Sequence, residues 1–487
     1  MTHAFDPSSL SFPTSHFIGG RFLEPGADFT VSAPSNGMQL SDLPLADEDV
    51  VDQAVTMAKT ALKTSGWAGV APRDRLRALY AWADLIEAEA EALTRLEAVC
   101  SSRPAAIART GDIANTATQI RFFAEFADKE GGDLVPTSRD SLGFISHHPY
   151  GVVGAITPWN YPISMAGWKL GPALAAGNAV VLKPSEMTPY STLFLAELAV
   201  RAGIPAGLIN VVVGDGMTTG SAITSHPGID KISFTGSTRA GQSIMANIAQ
   251  HGMKPMTLEL GGKSPQIVFA DADLDLAADC IANGVLPNAG QTCVAGTRLI
   301  VENSVADALL DRLLKKFESE TPALTWSMTP GFSPIISPKQ MHRINDIVAQ
   351  SVTHGAELLF GGQPFDHEGS FYQPTIISGV GRDNPAVTEE IFGPVLTVQV
   401  FDTEDQAIAL ADHPTYGLCA GLYTRDLSRA LRLCSVLETG TVWVNRYGRS
   451  RDHILPTGGW KSSGIGKDLG REAFMSNKRS KSVLIDL

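Results

Sequence analysis

Three short segments carry side chains whose chemistry asks for an explanation. The first is Gly290-Gln291-Thr292-Cys293, where a lone cysteine stands among small and polar residues just after a helical stretch. A thiol has a reference pKa of about 8.5, so about 3% is thiolate at neutral pH, and a nucleophilic role needs surroundings that favour ionisation. The plain alternative is a small buried apolar residue, which suits Cys280, Cys419 and Cys434 in their apolar patterns. The second segment is Leu258-Glu259-Leu260-Gly261-Gly262-Lys263, a carboxylate inside a short apolar strand that breaks into two glycines. Burial raises a carboxyl pKa, which suits a general base, whereas a glutamate facing water from an edge strand would do nothing. The third is Lys231-Ile232-Ser233-Phe234, then Gly236-Ser237-Thr238-Arg239-Ala240-Gly241 and an apolar helical pattern. Strand, glycine-bearing turn and helix aim backbone N–H groups and the helix dipole at a phosphate. The turn lacks the Gly-Lys-Ser/Thr ending of a P-loop and the G-x-G-x-x-G spacing, so by itself it is more often a purely structural turn.

Something has to hold these segments in place. From Tyr150 onward, short Val- and Ile-rich runs alternate with helical stretches: 151–156, 179–182, 208–213 and 231–234. A second series follows from near Glu259, with strands expected at 266–269, 298–301, 395–401 and 441–444 and a helix over 305–317. Such alternation predicts an α/β fold with mostly parallel sheets covered on both faces. Residues 48–98 read as two helical patterns, the second amphipathic through Leu79, Trp82, Ile86, Leu93 and Leu96. The Pro- and Gly-containing stretch 320–338 reads as a surface excursion.

Composition sets the outer limits. A chain of 487 residues exceeds what one hydrophobic core usually supports, so two domains are expected. Hydrophobic residues at 44% and charged residues at 18% exclude a disordered or coiled-coil chain. The net charge of −13 argues against sequence-independent binding to nucleic acid. Five scattered cysteines and no C-x-x-C pair predict neither a disulfide framework nor a metal site. No export signal or membrane-length apolar run stands out, so the expectation is a cytoplasmic protein with no membrane partner.

Six motifs occur together in one order: Pro158-Trp159-Asn160-Tyr161-Pro162, Lys183-Pro184-Ser185-Glu186, Phe234-Thr235-Gly236-Ser237, the Glu259 segment, Gly290-Gln291-Thr292-Cys293 and Glu389-Glu390-Ile391-Phe392-Gly393-Pro394. In order and approximate spacing the chain resembles the aldehyde dehydrogenase superfamily from about Phe17 to its end. The resemblance implies a Rossmann-type cofactor domain, an α/β catalytic domain and a small oligomerisation β element. Those parts map to residues 1–131 and 150–258, to 259–458, and to 132–149 with 473–487. It further implies that Cys293 attacks an aldehyde carbon and that Asn160 supports the oxyanion. Glu259 would activate the water that hydrolyses the thioester, giving a free acid, since relatives that pass the acyl group to coenzyme A generally lack this glutamate. For NAD it implies Trp159, Lys183, Glu186, Gly236, Ser237, Glu390 and Phe392. Glu186 favours NAD over NADP because a carboxylate repels a 2′-phosphate, with use of NADP left open. Arg343 stands where many relatives carry a ribose-contacting lysine, and is equally readable as a helix-surface residue.

Two departures bear on the substrate. The frequent Pro-Phe-Gly-Gly appears as Pro456-Thr457-Gly458-Gly459, and Arg446, Arg449, Arg451 and His453 crowd the loop before it. One expectation is therefore an aldehyde bearing a carboxylate, bound by Arg449 and Arg451 with Thr292 nearby. The other is a general aliphatic, aromatic or amino aldehyde against Tyr161, Trp168 and Met165. The arginines could equally face solvent or a neighbouring subunit. Residues 140–148 with 481–485 resemble strands that pair between subunits, implying a homodimer or homotetramer. An inactive NAD-binding structural homologue is the competing class, and retention of Cys293, Glu259 and Asn160 together speaks against it.

Overall fold

The computed structural model describes residues 4–449 and 453–487. The two apolar strand series form two large sheets. In the first, five parallel strands lie in the order Ile209–Val211, Ala179–Lys183, Val152–Ile156, Lys231–Thr235 and Met256–Glu259. Their spatial order is 3-2-1-4-5 in chain sequence, so the chain reverses its direction of travel between Val152–Ile156 and Lys231–Thr235. In open α/β sheets the crevice beyond the carboxyl ends of strands at such a switch point is where ligands bind. Antiparallel strands close both edges: Phe17–Ile18 and Arg21–Phe22 on one side, Gly464–Ile465 on the other.

The second sheet has seven strands in the order Glu357–Phe360, Thr375–Ser378, Val395–Phe401, Arg298–Glu302, Pro265–Val268, Cys419–Tyr423 and Thr441–Val444, all parallel except the first. Strands such as Ala179–Lys183 and Lys231–Thr235 are buried at every position, because helices cover both faces. That is why they read as continuous apolar runs without alternation. The third sheet is small and antiparallel: Lys478–Asp486 pairs Ser141–Pro149 over nine residue pairs, and Asp133–Val135 lies on the far side.

Two expectations need correction. Residues 48–98 hold parts of three helices, Glu48–Ser65, Pro72–Ala88 and Ala90–Cys100. A one-residue break at Glu89 leaves the apolar period nearly in phase, and this hid the boundary. The stretch 320–338 is a surface excursion only in part, exposed at 328–330 but buried at 325–327 and 332–336. Trp326, Phe332, Ile335 and Ile336 are buried, and Ala105 N–H donates to the Thr325 carbonyl at 2.7 Å.

Candidate active site

The residues singled out by chemistry emerge at the carboxyl ends of the parallel strands. Val152–Ile156 ends just before Trp159 and Asn160, Ala179–Lys183 ends on Lys183, Lys231–Thr235 leads into Gly236-Ser237, and Met256–Glu259 ends on Glu259. The register sets Thr235 opposite Glu259, and the Gly236 N–H donates to the Glu259 carbonyl at 3.0 Å. The phosphate-type turn and the buried carboxylate are thus neighbours.

Glu259 is 5% exposed, and its Oε1 has no hydrogen-bond partner among the described residues. Burial, followed by the negative charge of Asp468, pushes its carboxyl up to about 8. Lys169, Arg449 and Lys467 pull the other way. The space beside it is kept by Gly458, where an added Cβ would lie 2.8 Å from Oε1.

The chain then runs through Gly261 and Gly262, and both glycines are required by close approach. A Cβ on Gly261 would lie 2.2 Å from a carboxylate oxygen of Glu390, and one on Gly262 would lie 2.5 Å from the Cys293 carbonyl oxygen. The Gly262 N–H donates to Glu390 at 3.0 Å. Within three residues of Glu259 the backbone therefore closely approaches both Glu390 and the cysteine segment.

Cys293 follows a strained loop. Asn288 and Ala289 have φ of 55° and 50°, left-handed values that cost non-glycine residues about 1–3 kcal/mol each. Gly290, at φ 70°, lies where a Cβ would come within 2.2 Å of the Gly393 carbonyl oxygen. Buried amides hold the strain. Asn160 Nδ2 donates to the Gln291 carbonyl at 2.9 Å, and Asn288 Nδ2 donates to the Asn160 carbonyl at 3.0 Å. Gln291 Nε2 donates to the carbonyls of Asn288 at 2.9 Å and Pro334 at 3.0 Å, while its Oε1 accepts from Ile336 N–H at 2.9 Å. Asn288 and the 334–336 stretch were not singled out from the sequence, since nothing in a single Asn or an irregular Pro-bearing run marks a buried amide network.

Cys293 is half-buried, in contrast with Cys100 and Cys419, which are buried; Cys434 is exposed and Cys280 half-buried, so an apolar pattern did not predict full burial for those two. Burial pushes the Cys293 thiol up to about 11; Arg449 is the largest opposing charge, and Glu259 and Glu390 push it further up. The Cys293 backbone N–H donates to no group among the described residues. One N–H of the Asn160 side chain is committed to Gln291, which leaves the second. Thr292, next in the chain, is half-buried.

Around this centre sit the remaining candidates. Phe392 adopts a φ of 55° and meets Trp159 edge-on at 5.2 Å. Its loop is gripped by the helix Pro338–Thr353: Gln340 Nε2 donates to the carbonyls of Ile391 and Phe392 at 3.0 and 3.1 Å, and Arg343 Nη1 donates to Ile391 at 3.0 Å. Arg343 is thus a brace for the Glu390 loop, and Gln340 does the same work unannounced by any motif. Burial raises the Glu390 carboxyl to about 7. Lys183, 3% exposed, donates to the Pro184 and Gly214 carbonyls at 2.9 and 2.6 Å and lies 3.5 Å from Glu186. Ser237 caps the fourteen-residue helix Thr238–His251, accepting from Ala240 N–H at 3.2 Å.

On the opposite side, Tyr161 carries the Arg103 guanidinium over its ring at 4.5 Å, and Trp168 carries that of Arg449 at 5.0 Å. Of the basic loop residues, Arg449 enters the site, Arg446 is exposed, His453 is buried near Phe122, and Arg451 lies outside the described residues. Among the described residues, no group of three or more His, Cys, Asp or Glu could hold a metal ion, and no helix is long and apolar enough to cross a membrane.

The aldehyde dehydrogenase family model matches residues 23–483. An aldehyde dehydrogenase of Aspergillus niger is 40% identical over 473 residues, covering 97% of this chain and 95% of its own. The solved NAD+ complex of an aldehyde dehydrogenase from Bacillus cereus superposes with a TM-score of 0.97 at 37% identity, covering all of both chains. The γ-glutamyl-γ-aminobutyraldehyde dehydrogenase of Burkholderia cenocepacia gives a TM-score of 0.95 at 38% identity over 99% of this chain and 98% of that one. With sequence motifs, sheet topology and whole-chain similarity in agreement, this chain belongs to the aldehyde dehydrogenase family.

Proposed function

We propose that this protein oxidises an aldehyde to the carboxylic acid with NAD+, through a thioester on Cys293 that Glu259 helps to hydrolyse. The observation that carries the reading is the Glu259–Gly262 segment, which joins a buried, unpartnered carboxyl directly to the back of the Cys293 loop. As the Cys293 S–H proton passes to solvent, attack by the sulfur on the aldehyde carbon forms the S–C bond and moves the carbonyl electrons onto oxygen. The second N–H of Asn160 Nδ2 and the Cys293 N–H have no acceptor among the described residues and can receive that charge, and one such donor is typically worth about 10²–10³ in rate. NAD+, when bound, supplies the hydride acceptor that takes the tetrahedral adduct to the acyl level. Glu259, once ionised, takes a proton from water as its oxygen attacks the thioester carbon, the C–S bond breaks, and Cys293 is restored with release of the acid.

The residues fit that cofactor by their chemistry. The Lys183 ammonium and half-exposed Glu186 carboxylate suit a ribose diol, the helix N-terminus at Ser237 suits a pyrophosphate, and Glu390 with Phe392 and Trp159 suits a second ribose and a flat ring. We assign cofactor binding to the first sheet's layer and the thiol chemistry to the second. The absence of disulfides among the cysteines suits a reducing compartment, and we place the protein in the cytoplasm. The edge strand Lys478–Asp486 exposes Leu484 at 69% and Ile485 at 42%, and we assign it to pairing with a second copy in a homodimer or tetramer.

The test is NADH formation from aldehyde and NAD+ by the wild type, C293S and E259Q. The reading expects formation by the wild type, none with C293S, and a single fast turnover followed by a stall with E259Q. An inactive structural homologue would bind NAD+ and form no NADH with any of them.

A further inference from the structure

The two departures in the substrate loop meet each other. Thr457 Oγ1 accepts from Arg449 Nη2 at 2.9 Å and from Arg449 Nε at 3.3 Å, a bond that the phenylalanine frequent at this position could not make. The Arg449 guanidinium is also laid over the ring of Trp168, on the buried helix Pro162–Ala175, at 5.0 Å. A hydroxyl and an indole face therefore hold the group in one orientation. Neither supplies a negative charge. Among the described residues no carboxylate pairs with Arg449, and its Nη1 has no hydrogen-bond partner. Trp168 Nε1, in a residue 7% exposed, is likewise without an acceptor. The carboxyl of Glu259 lies within electrostatic range but, raised to about 8, is mostly protonated at neutral pH.

Among the charges around the Cys293 thiol, Arg449 is the strongest that lowers its pKa, so the guanidinium lies within electrostatic reach of the nucleophile. An oriented, unneutralised arginine fork beside a nucleophile is built to take a planar anion bidentately. The amino-aldehyde alternative fits poorly, because both rings that could receive an ammonium, Tyr161 and Trp168, already carry guanidinium groups.

We propose that Arg449, oriented by Thr457 and Trp168, binds a carboxylate at the far end of the substrate, so that the preferred substrates are short aldehydes bearing a terminal carboxylate. The proposal rests on the dehydrogenase reading above. Arg449 is here a specificity residue; the bond-making groups remain Cys293, Asn160 and Glu259.

The experiment compares kcat/KM for succinic semialdehyde, butanal and 4-aminobutanal with the wild type, R449Q and R449K. The wild type should prefer the semialdehyde by about 10- to 100-fold, the range of a charge-assisted hydrogen-bond pair. R449Q should bring the ratio of semialdehyde to butanal to within about threefold of unity, mainly through KM, and R449K should recover only part of it. A wild-type ratio near unity overturns the proposal without any variant. So does an R449Q enzyme that loses activity toward both substrates equally, because that is the mark of a general effect on the thiol. A second measurement separates this proposal from the dehydrogenase reading. Succinamate should protect Cys293 from iodoacetamide at least about tenfold better than butanamide in the wild type, and equally poorly in R449Q. That result with no NADH from any aldehyde would remove the reaction and keep the carboxylate site; equal protection in the wild type would remove the site.

Discussion

Cys293 and Glu259 are both held in their uncharged forms at rest, and the same cause, burial, acts on each. The carboxyl must ionise to take a proton from water. The rate of deacylation should therefore rise with pH through about 8, and this rising limb should vanish in E259Q. The linkage to stability has the opposite slope. A carboxyl raised from 4.5 to about 8 favours the protonated folded state, so its contribution is present in full below pH 4.5 and is lost as pH rises through 8. Thermal melts should show E259Q gaining on the wild type between pH 5 and pH 8.5; a constant difference would mean that Glu259 titrates normally. Asn160 is the other residue whose effect can be sized: N160A should lower kcat by about 10²–10³ while the protein still binds NAD+.

At the scale of elements, the nucleophile loop is held against its own strain by hydrogen bonds from two separate segments, at Asn160 and at 334–336. G290A places a methyl group 2.2 Å from the Gly393 carbonyl and should move Cys293 enough to cost at least about 10²-fold in kcat/KM. Behind Glu259, Lys169 on the helix Pro162–Ala175 pairs with Asp468 at 2.5 Å, and both side chains are buried. Leaving Lys169 without its partner in D468A should cost about 3–5 kcal/mol of folding stability by denaturant unfolding. The same variant removes a negative charge that raises the Glu259 carboxyl, so the rising limb of activity should move to lower pH.

Elements also show where sequence reading reaches its end. Cys293 and Glu259 stand out in the sequence by residue type and setting, whereas Asn160 and Glu390 are picked out only through the motifs of the family resemblance. Gln340, Asn288 and the 334–336 stretch were not, because their work is done by single amide contacts to backbone carbonyls that leave no pattern in the chain. Arg449 was visible as one of several basic residues in a loop. Its separation from Arg446 and His453 depends on which way the loop turns, and no local periodicity encodes that.

For the whole molecule, the parallel strands were readable because burial on both faces demands unbroken apolar runs, while their 3-2-1-4-5 order is seen only in the structure. The long ladder between Ser141–Pro149 and Lys478–Asp486, two segments more than 300 positions apart, could be anticipated only through family resemblance. Its outer edge is the surface we assign to a second copy. Light scattering at micromolar concentration should give a dimer or tetramer mass, and replacing Leu484 and Ile485 with lysine should yield monomer; a monomeric wild type would contradict that assignment.

The central claim is that one thiol and one carboxyl act in turn on the same acyl carbon. It is tested most directly by mixing E259Q with aldehyde and NAD+, quenching within a turnover, and measuring peptide masses. One NADH per chain is expected, with the acyl group on the peptide bearing Cys293. An E259Q enzyme that turns over as the wild type does, or carries its acyl group on another residue, would contradict it.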